Sequence, residues 1–347
     1  FMTLSLLQDY FRLKPPMAVA VSGGVDSMTL AVVANRVQEE TLVFHAISPA
    51  VPAAATARVR QYAAAEDWQL TIVDAGEMND ERYLANPANR CYFCKTNLYE
   101  TVSGQTDLLV ASGTNLDDLD DYRPGLVAAE EHDVCHPYVE LGMSKAGLRA
   151  IAAELSLGDL QDLPAAPCLS SRVTTGIAID AALLPVVDAV EQEVWQRLGD
   201  SRALKAVRCR IRNREVGLQI DTTERLKPEI KADLIACVAD LFSENGYAEQ
   251  VKANQFLMNL SELYDIPLAA TADSELVAAR GHCFEDAVNF PIVIGGYVEE
   301  RDGTKEKYDI ESIPAQSSTR KFIAMMEALG IADDLERAKN GRSIRAG

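Results

Sequence analysis

The stretch Ser22-Gly23-Gly24-Val25-Asp26-Ser27 constrains this chain more than any other, because it joins a short apolar run, 17–21, to an apolar-periodic stretch, 28–37. Two adjacent glycines where a strand gives way to a helix let backbone N–H groups converge, and the helix N-terminus adds its dipole. The result is an anion cradle on a strand–turn–helix unit. No lysine follows the glycines, unlike the nucleotide loop that ends in Gly-Lys-Ser/Thr, so simple cleavage of a terminal phosphate is not expected. Ser22 and Ser27 supply hydroxyls to phosphates, and Asp26 supplies a carboxylate for Mg²⁺ or for orienting a polyphosphate. A plain turn with an Asp cap accounts for a glycine and an aspartate but not for two flanking serines.

The same grammar repeats along the first half. Strands are expected at 42–47, 70–73, 108–112 and, as a fifth, 134–139, with helices over 53–66 and 145–155. Strands alternating with helices imply an α/β fold whose parallel, doubly wound sheet is covered on both faces. After Gly176 the pattern changes to a helix over 180–198, strands at 203–211 and 215–220, and a helix over 224–242, a smaller α+β unit. Beyond it a hairpin over 292–310, turning at Asp302-Gly303, precedes a helix around 318–329. The expected domains are 1–176, 177–253 and a C-terminal extension, 254–347, without an assigned role. Its Ser317-Ser318-Thr319-Arg320-Lys321 reads as a plain helix N-terminus rather than a phosphate site.

A chain of 347 residues, 48% hydrophobic, can bury cores for two or three domains. No stretch approaches the ~20 apolar residues needed to cross a bilayer, and no basic segment followed by an apolar one opens the chain, so a cytoplasmic location is expected. Phe1, ahead of Met2, reads as an appended residue and is left out of the fold expectation. The formal net charge of -19 opposes a broad grip on a nucleic-acid backbone. A local basic patch remains: Arg208, Arg210, Arg212 and Arg214 alternate, which on a strand places them on one face. That spacing suits one phosphorylated small molecule, and a solvated strand face fits it equally.

Seven cysteines without a secretion signal argue against a disulfide framework and leave metal binding or catalysis to explain any clustering. Cys91-Tyr92-Phe93-Cys94 pairs two thiols, and Cys168 follows the last element of the α/β layer, so all three can converge at the C-terminal edge of the sheet. Zinc, a redox dithiol and an iron–sulfur cluster all fit such a pair; a four-ligand zinc site needs one more donor, available in Cys135-His136. Cys209, Cys237 and Cys283 read as ordinary buried cysteines. The four histidines show no metal-ligand spacing. Arg123 and Arg172 suit a carboxylate or phosphate bidentately, with a structural ion pair as the alternative for each.

The loop at 22–27 resembles the signature of the PP-loop ATP pyrophosphatases, which have a HUP-like (adenine nucleotide α-hydrolase) sheet, cleave ATP between the α and β phosphates and leave AMP on a substrate. Gly113-Thr114-Asn115-Leu116-Asp117-Asp118, Asp121-Tyr122-Arg123-Pro124-Gly125 and Pro167-Cys168-Leu169-Ser170-Ser171-Arg172, with Gly176 behind, resemble the LarE-type sulfur transferases, which make the nickel-pincer cofactor of lactate racemase. The resemblance covers residues 15–250, specific in the first 180 and looser beyond. It implies ATP and Mg²⁺ held by Ser22, Gly23, Gly24, Val25, Asp26, Ser27, Thr114, Asn115 and Asp118, the two aspartates of 117–118 standing where carboxylates meet the metal. For Asp120 and Asp121 a solvated acidic loop is an equal account. Ser171, Arg208, Arg210 and Arg214 are implied as further binding residues, and Cys168, Asp26, Arg172 and Arg123 as catalytic. Cys91, Cys94 and Cys168 match members in which three cysteines hold a [4Fe-4S] cluster with one iron open for a sulfide; in other members the cysteine matching Cys168 gives up its own sulfur. The implied partners are a small, phosphorylated carboxylate substrate, an unidentified sulfur donor and a second copy of the chain, with neither nucleic acid nor membrane. Three rivals accompany this expectation: tRNA thiolation, opposed by the acidic charge; an ammonia-using ligase of the GMP or NAD synthetase kind, with incidental cysteines; and a nucleotide-binding protein without turnover.

Overall fold

The computed structural model describes residues 2–119, 123–164, 167–199, 204–212, 215–222, 226–247, 252–259, 297–299 and 305–307. The chain starts with helix α1 (Met2–Leu13) and strand β1 (Met17–Ala20), followed by α2 (Val25–Val37), β2 (Leu42–Ala46), α3 (Ala53–Ala65) and β3 (Gln69–Val73). Helices α4 (Glu81–Leu84) and α5 (Arg90–Ser103) lead to β4 (Leu109–Ser112), and α6 (Pro124–Glu131), α7 (Pro137–Glu140), α8 (Lys145–Glu154) and α9 (Gly158–Gln161) complete the first half. The four strands form one parallel sheet in the order β3-β2-β1-β4.

Strand alternation sorts the core into two layers. Met17, Val19 and Val43 face a cluster with α1, α2 and α8, whereas Ala18, Phe44 and Val110 face one with α5 and α6. Helix α2 is apolar nearly all round, so it is buried between the sheet and the outer helices. Helix α1 is amphipathic instead: Leu4, Leu7 and Phe11 recur at helical spacing and go inward, while Leu6 and Leu13 stay exposed. Each inward leucine contributes about 1.5–3 kcal/mol by leaving water.

The expected fifth strand at 134–139 does not form. Cys135 alone bridges to Ala111, its N–H donating to the Val110 carbonyl at 2.9 Å, and Pro137 then opens α7. Proline has no N–H for a ladder but suits the first turn of a helix. The other strands fall where expected, within a residue or two.

The second half has its own sheet. Helix α10 (Leu184–Leu198), strands β5 (Leu204–Arg212) and β6 (Glu215–Thr222), helix α11 (Pro228–Glu244) and strand β7 (Lys252–Asn259) give an order β5-β6-β7, antiparallel then parallel. Val190 and Val194 of α10, Leu234 and Phe242 of α11 and Val207, Cys209 and Ile211 of β5 share one core. Both helices start later than the apolar pattern suggests, because Asp180 turns the chain ahead of α10 and Pro228 sits at the first position of α11. Strands β8 (Tyr297–Glu299) and β9 (Lys305–Lys307) pair antiparallel, as the hairpin expectation requires. Its turn at Asp302-Gly303, the helix around 318–329 and Ser317-Ser318-Thr319-Arg320-Lys321 lie outside the described residues. Among the described residues no helix is long and apolar enough to cross a membrane.

Candidate functional site

In the order β3-β2-β1-β4 the chain leaves β1 toward β2 on one side and returns as β4 on the other, so a crevice opens at the C-terminal ends of β1 and β4. Both loops bordering it are the ones the sequence singled out. Gly23 has φ +83°, and a side chain there would put its Cβ 2.8 Å from the Ala55 carbonyl oxygen at the start of α3. A Cβ on Gly113 would lie 2.6 Å from the Ser27 nitrogen. Only glycine allows either approach, so the 22–27 loop is held between α3 and the loop after β4. Arg58 of α3 donates to the Gly23 carbonyl at 2.8 Å. The Ser22 N–H donates to Ser27 Oγ at 3.0 Å, and the two hydroxyls lie 3.3 Å apart. No side chain caps α2 at Gly24, which leaves the N–H groups of its first turn without intrahelical partners.

Asp26 sits in that first turn. One carboxylate oxygen bonds Lys145 Nζ at the start of α8; the other, Oδ1, is buried with no partner among the described residues. Burial pushes its carboxyl above the ordinary range, Lys145 opposes the rise and nearby Asp118 adds to it. Across the crevice, Asp118 accepts from the Asn115 N–H and Nδ2, both at 3.0 Å, and pairs with Arg123 at 2.9 Å. Asp117 accepts from the Lys145 N–H at 2.9 Å, which seats α8. Thr114 Oγ1 meets Ser112 Oγ at 3.0 Å, and Ser112 Oγ meets His136 Nδ1 at 2.8 Å. Ser22, Gly23, Gly24, Asp26, Ser27, Thr114, Asp118 and Arg123 therefore meet at one sheet edge, with Asn115 buried beneath it and Val25 packed in the core; Asp120, Asp121 and Tyr122 lie outside the described residues.

The thiols gather beside it. Cys91 is exposed on the first turn of α5, Cys94 lies half-buried one turn on, and Cys168 half-buried just ahead of the 3-10 turn Leu169–Arg172. The 168–179 segment is fastened beneath α5 by three residues. Tyr83 meets Ser170 Oγ at 2.6 Å; Asn86 Nδ2 donates to the carbonyls of Thr174 and Ile177, both at 2.9 Å; and Arg90 bonds both Asn86 Oδ1 and the Ser170 carbonyl. Burial pushes the Cys94 thiol up to about 12, with Lys95 opposing and Cys168, Glu77 and Cys91 adding to the rise. Protein packed around the Cys91 sulfur raises it too, as does Cys168, while Arg90, Lys95 and Arg123 pull it down. Arg123, the partner of Asp118, is thus felt at a thiol as well.

Cys135 is elsewhere. Its sulfur packs 3.8 Å from Met17 Sδ in the core under α1, and burial pushes it up to about 11. The expected extra zinc donor in Cys135-His136 is corrected accordingly, since β1 separates that core from α5 and His136 is engaged with Ser112. Among the described residues no three His, Cys, Asp or Glu side chains converge as a single metal ion requires. Cys209 and Cys237 are buried, as expected; Cys283 lies outside the described residues.

Of the arginines, Arg172 is buried with its fork on Glu191 at 2.7 and 2.9 Å, and it also donates to Ser171 Oγ at 3.0 Å. The expected bidentate grip on a substrate is corrected to the structural ion pair, because Glu191 also accepts the Cys209 N–H and joins α10 to β5. Arg208 and Arg210 do alternate on one face of β5, but Arg210 is buried rather than solvated, donating to the Ser171 carbonyl at 2.8 Å and to Gln219 at 3.1 Å. Arg214 lies outside the described residues. Sequence reasoning missed Lys145, Arg58, Asn86, Lys95 and Glu77. The helix expected over 145–155 starts at that lysine, and the structure caps it with Ser144, but nothing local tied the lysine to Asp26.

No family model matches the chain. It is 38% identical over 195 residues to the uncharacterized protein slr1717 of Synechocystis sp., a stretch that is 54% of this chain and 72% of that one. The uncharacterized protein MJ0830 of Methanocaldococcus jannaschii is 27% identical over 199 residues, 54% of this chain and 71% of MJ0830. A shorter stretch of 80 residues, 23% of this chain, is 42% identical to large ribosomal subunit protein uL4 of Halobacterium salinarum and spans 26% of that protein. Fold and site define an α/β protein with a four-stranded parallel sheet and a glycine-bearing loop at the C-terminal end of its first strand. Within that class, the chain belongs to the family of slr1717.

Proposed function

We propose that this chain is an ATP-dependent sulfur transferase with a HUP-like nucleotide-binding layer, which adenylylates a substrate carboxylate and then inserts sulfur. The observation that carries this reading is adjacency: Arg123, paired with Asp118 at the crevice, directly precedes α6, whose Gly125 packs against α5 so closely that a Cβ there would lie 3.6 Å from the Cys91 carbonyl oxygen. The 22–27 loop receives the β and γ phosphates on N–H groups and two serine hydroxyls, with Lys145 supplying the cation that the loop lacks. A carboxylate oxygen of the substrate bonds the α-phosphorus, and the bond to the bridging oxygen breaks as pyrophosphate leaves. Arg123 offsets charge on the phosphoryl oxygens during this exchange. Arg208, half-buried on β5, suits a phosphate on the substrate.

Mg²⁺ fits this crevice, because Asp26 Oδ1 is buried without a partner and Asp118 is near enough to raise the Asp26 pKa; when bound it neutralises the polyphosphate. Cys91, Cys94 and Cys168 would be the thiolates to hold a [4Fe-4S] cluster, each on a different iron. When bound, such a group would supply sulfide for attack on the acyl carbon, with AMP as the leaving group and a thiocarboxylate as the product.

Anaerobic purification followed by iron, sulfide and zinc analysis tests the reading on wild type and Cys91→Ser. The expected result is a brown protein with a broad band near ~400 nm that loses iron in the variant. A zinc-loaded, colourless protein would make the cysteine pair structural. Metal-free protein that acquires dehydroalanine at residue 168 during turnover would shift sulfur donation to Cys168 itself.

A further inference from the structure

Ser112 ends β4, and the Cys135 bridge to Ala111 followed by Pro137 at the start of α7 brings His136 beside it. The Ser112 side chain is buried, and its hydroxyl has three partners: His136 Nδ1 at 2.8 Å, Thr114 Oγ1 at 3.0 Å and the Thr114 N–H at 3.5 Å. A hydroxyl has one proton to give and two lone pairs to accept with. The Thr114 N–H takes one lone pair, so the ring and the Thr114 hydroxyl divide the proton and the other lone pair between them. In one arrangement Ser112 donates to His136 Nδ1 and accepts from Thr114. In the other His136 Nδ1–H donates to Ser112, which donates to Thr114. Ser112 is fully satisfied in both and so does not choose. His136 Nε2 has no hydrogen-bond partner among the described residues, so nothing on the far side of the ring fixes the tautomer either. Burial pulls the ring below its ordinary pKa, with Glu140 opposing, Lys95 adding to the fall and Asp118 opposing, which keeps a neutral ring with both tautomers open.

The difference between the two arrangements falls on Thr114. It follows Gly113, where a side chain would collide with the Ser27 backbone, and it is half-buried at the edge of the phosphate loop. In the first arrangement its proton is spent on Ser112 and only lone pairs remain; in the second its proton is free for an outside acceptor. We infer that His136 is a positioning residue of this crevice, which through Ser112 reverses the Thr114 hydroxyl so that it donates to a phosphate. The inference rests on the nucleotide-binding reading above. An anionic occupant draws the Thr114 proton toward itself and the ring to its Nδ1–H form, whereas a neutral one leaves the ring as it was. As the ring gives its Nε2 proton to solvent, Nδ1 takes that of Ser112, Ser112 takes that of Thr114, and Thr114 takes one from solvent. Net protonation is unchanged.

Nitrogen NMR of the histidine rings, with His136→Gln to identify the signals, follows the tautomer near neutral pH as inorganic pyrophosphate or adenosine is titrated in. Pyrophosphate should move His136 toward the Nδ1–H form, and uncharged adenosine should not. In Thr114→Val the ring should stay in its ligand-free state and pyrophosphate should bind roughly tenfold more weakly, the loss of one hydrogen bond to a charged group. Ser112→Ala breaks the chain at its middle, should abolish the response of the ring and serves if the valine variant does not fold. A ring unchanged at saturating pyrophosphate, a response that survives in both variants, or an equal response to adenosine overturns the inference while leaving the nucleotide reading intact. Failure of both pyrophosphate and ATP to bind wild type overturns both.

Discussion

Asp26 and Lys145 meet across 119 positions of chain, and their contact couples the phosphate loop to the start of α8. Burial lifts the Asp26 carboxyl above its ordinary value, so ionised Asp26 weighs against the fold and Lys145 offsets that weight. Removing the lysine lifts the carboxyl further. Lys145→Ala should therefore cost about 1–3 kcal/mol where Asp26 is ionised, and the deficit should shrink as pH falls through the raised carboxyl value and the charge is lost. Denaturant melts of wild type and variant from pH ~8 to ~4 check the sign; a deficit that grows on acidification would mean that Lys145 supports the fold by packing instead. On the proposed function, pyrophosphate release should fall in the same variant, because the loop has no lysine of its own.

Among the elements, α4 is a single turn that positions α5 and with it two of the thiols. Asp80 caps it by accepting from the Arg82 N–H at 3.0 Å, grips the Arg82 guanidinium and accepts from Asn97 Nδ2 of α5 at 3.0 Å. These bonds, Arg82 foremost, hold its carboxyl down at about 2 against an ordinary 3.8. A depressed carboxyl stabilises the fold above its unfolded value, so the contribution is complete above pH ~4 and drains away as pH falls toward 2. Asp80→Ala should cost about 1 kcal/mol at neutral pH, as lost caps do. At pH ~2.5 the gap between variant and wild type should have narrowed, and chemical denaturation at the two pH values measures it.

For the whole molecule, the first sheet and the second are joined through the 168–179 segment, which also carries Cys168. Asn86 is fully buried in the left-handed region, φ 54°, and its amide serves the carbonyls of Val173, Thr174 and Ile177. Asn86→Ala strands these carbonyls and strains the backbone, which together should cost about 3 kcal/mol or more. Iron retained after reconstitution should fall along with the melting temperature, since Cys168 loses its hold beneath α5. A variant that melts early yet keeps wild-type iron would separate the clamp from the thiol site. Glu191, tied to Arg172 and to the Cys209 N–H, fastens α10 to β5 in the same region.

The alternation of strands and helices, the glycine turn between β1 and α2 and the alternating arginines of β5 were legible in the sequence, because each is a local pattern of spacing and backbone freedom. The 134–139 strand was misread because its apolar content outweighed Pro137 in the pattern, whereas the missing N–H decides in the ladder. Tertiary structure alone paired Lys145 with Asp26, placed Arg58 on the Gly23 carbonyl, put Cys135 on the far side of the sheet and turned the fork of Arg172 toward Glu191. Such pairings depend on which side chains a folded sheet edge brings within a few ångströms of each other. Sequence spacing carries no record of that.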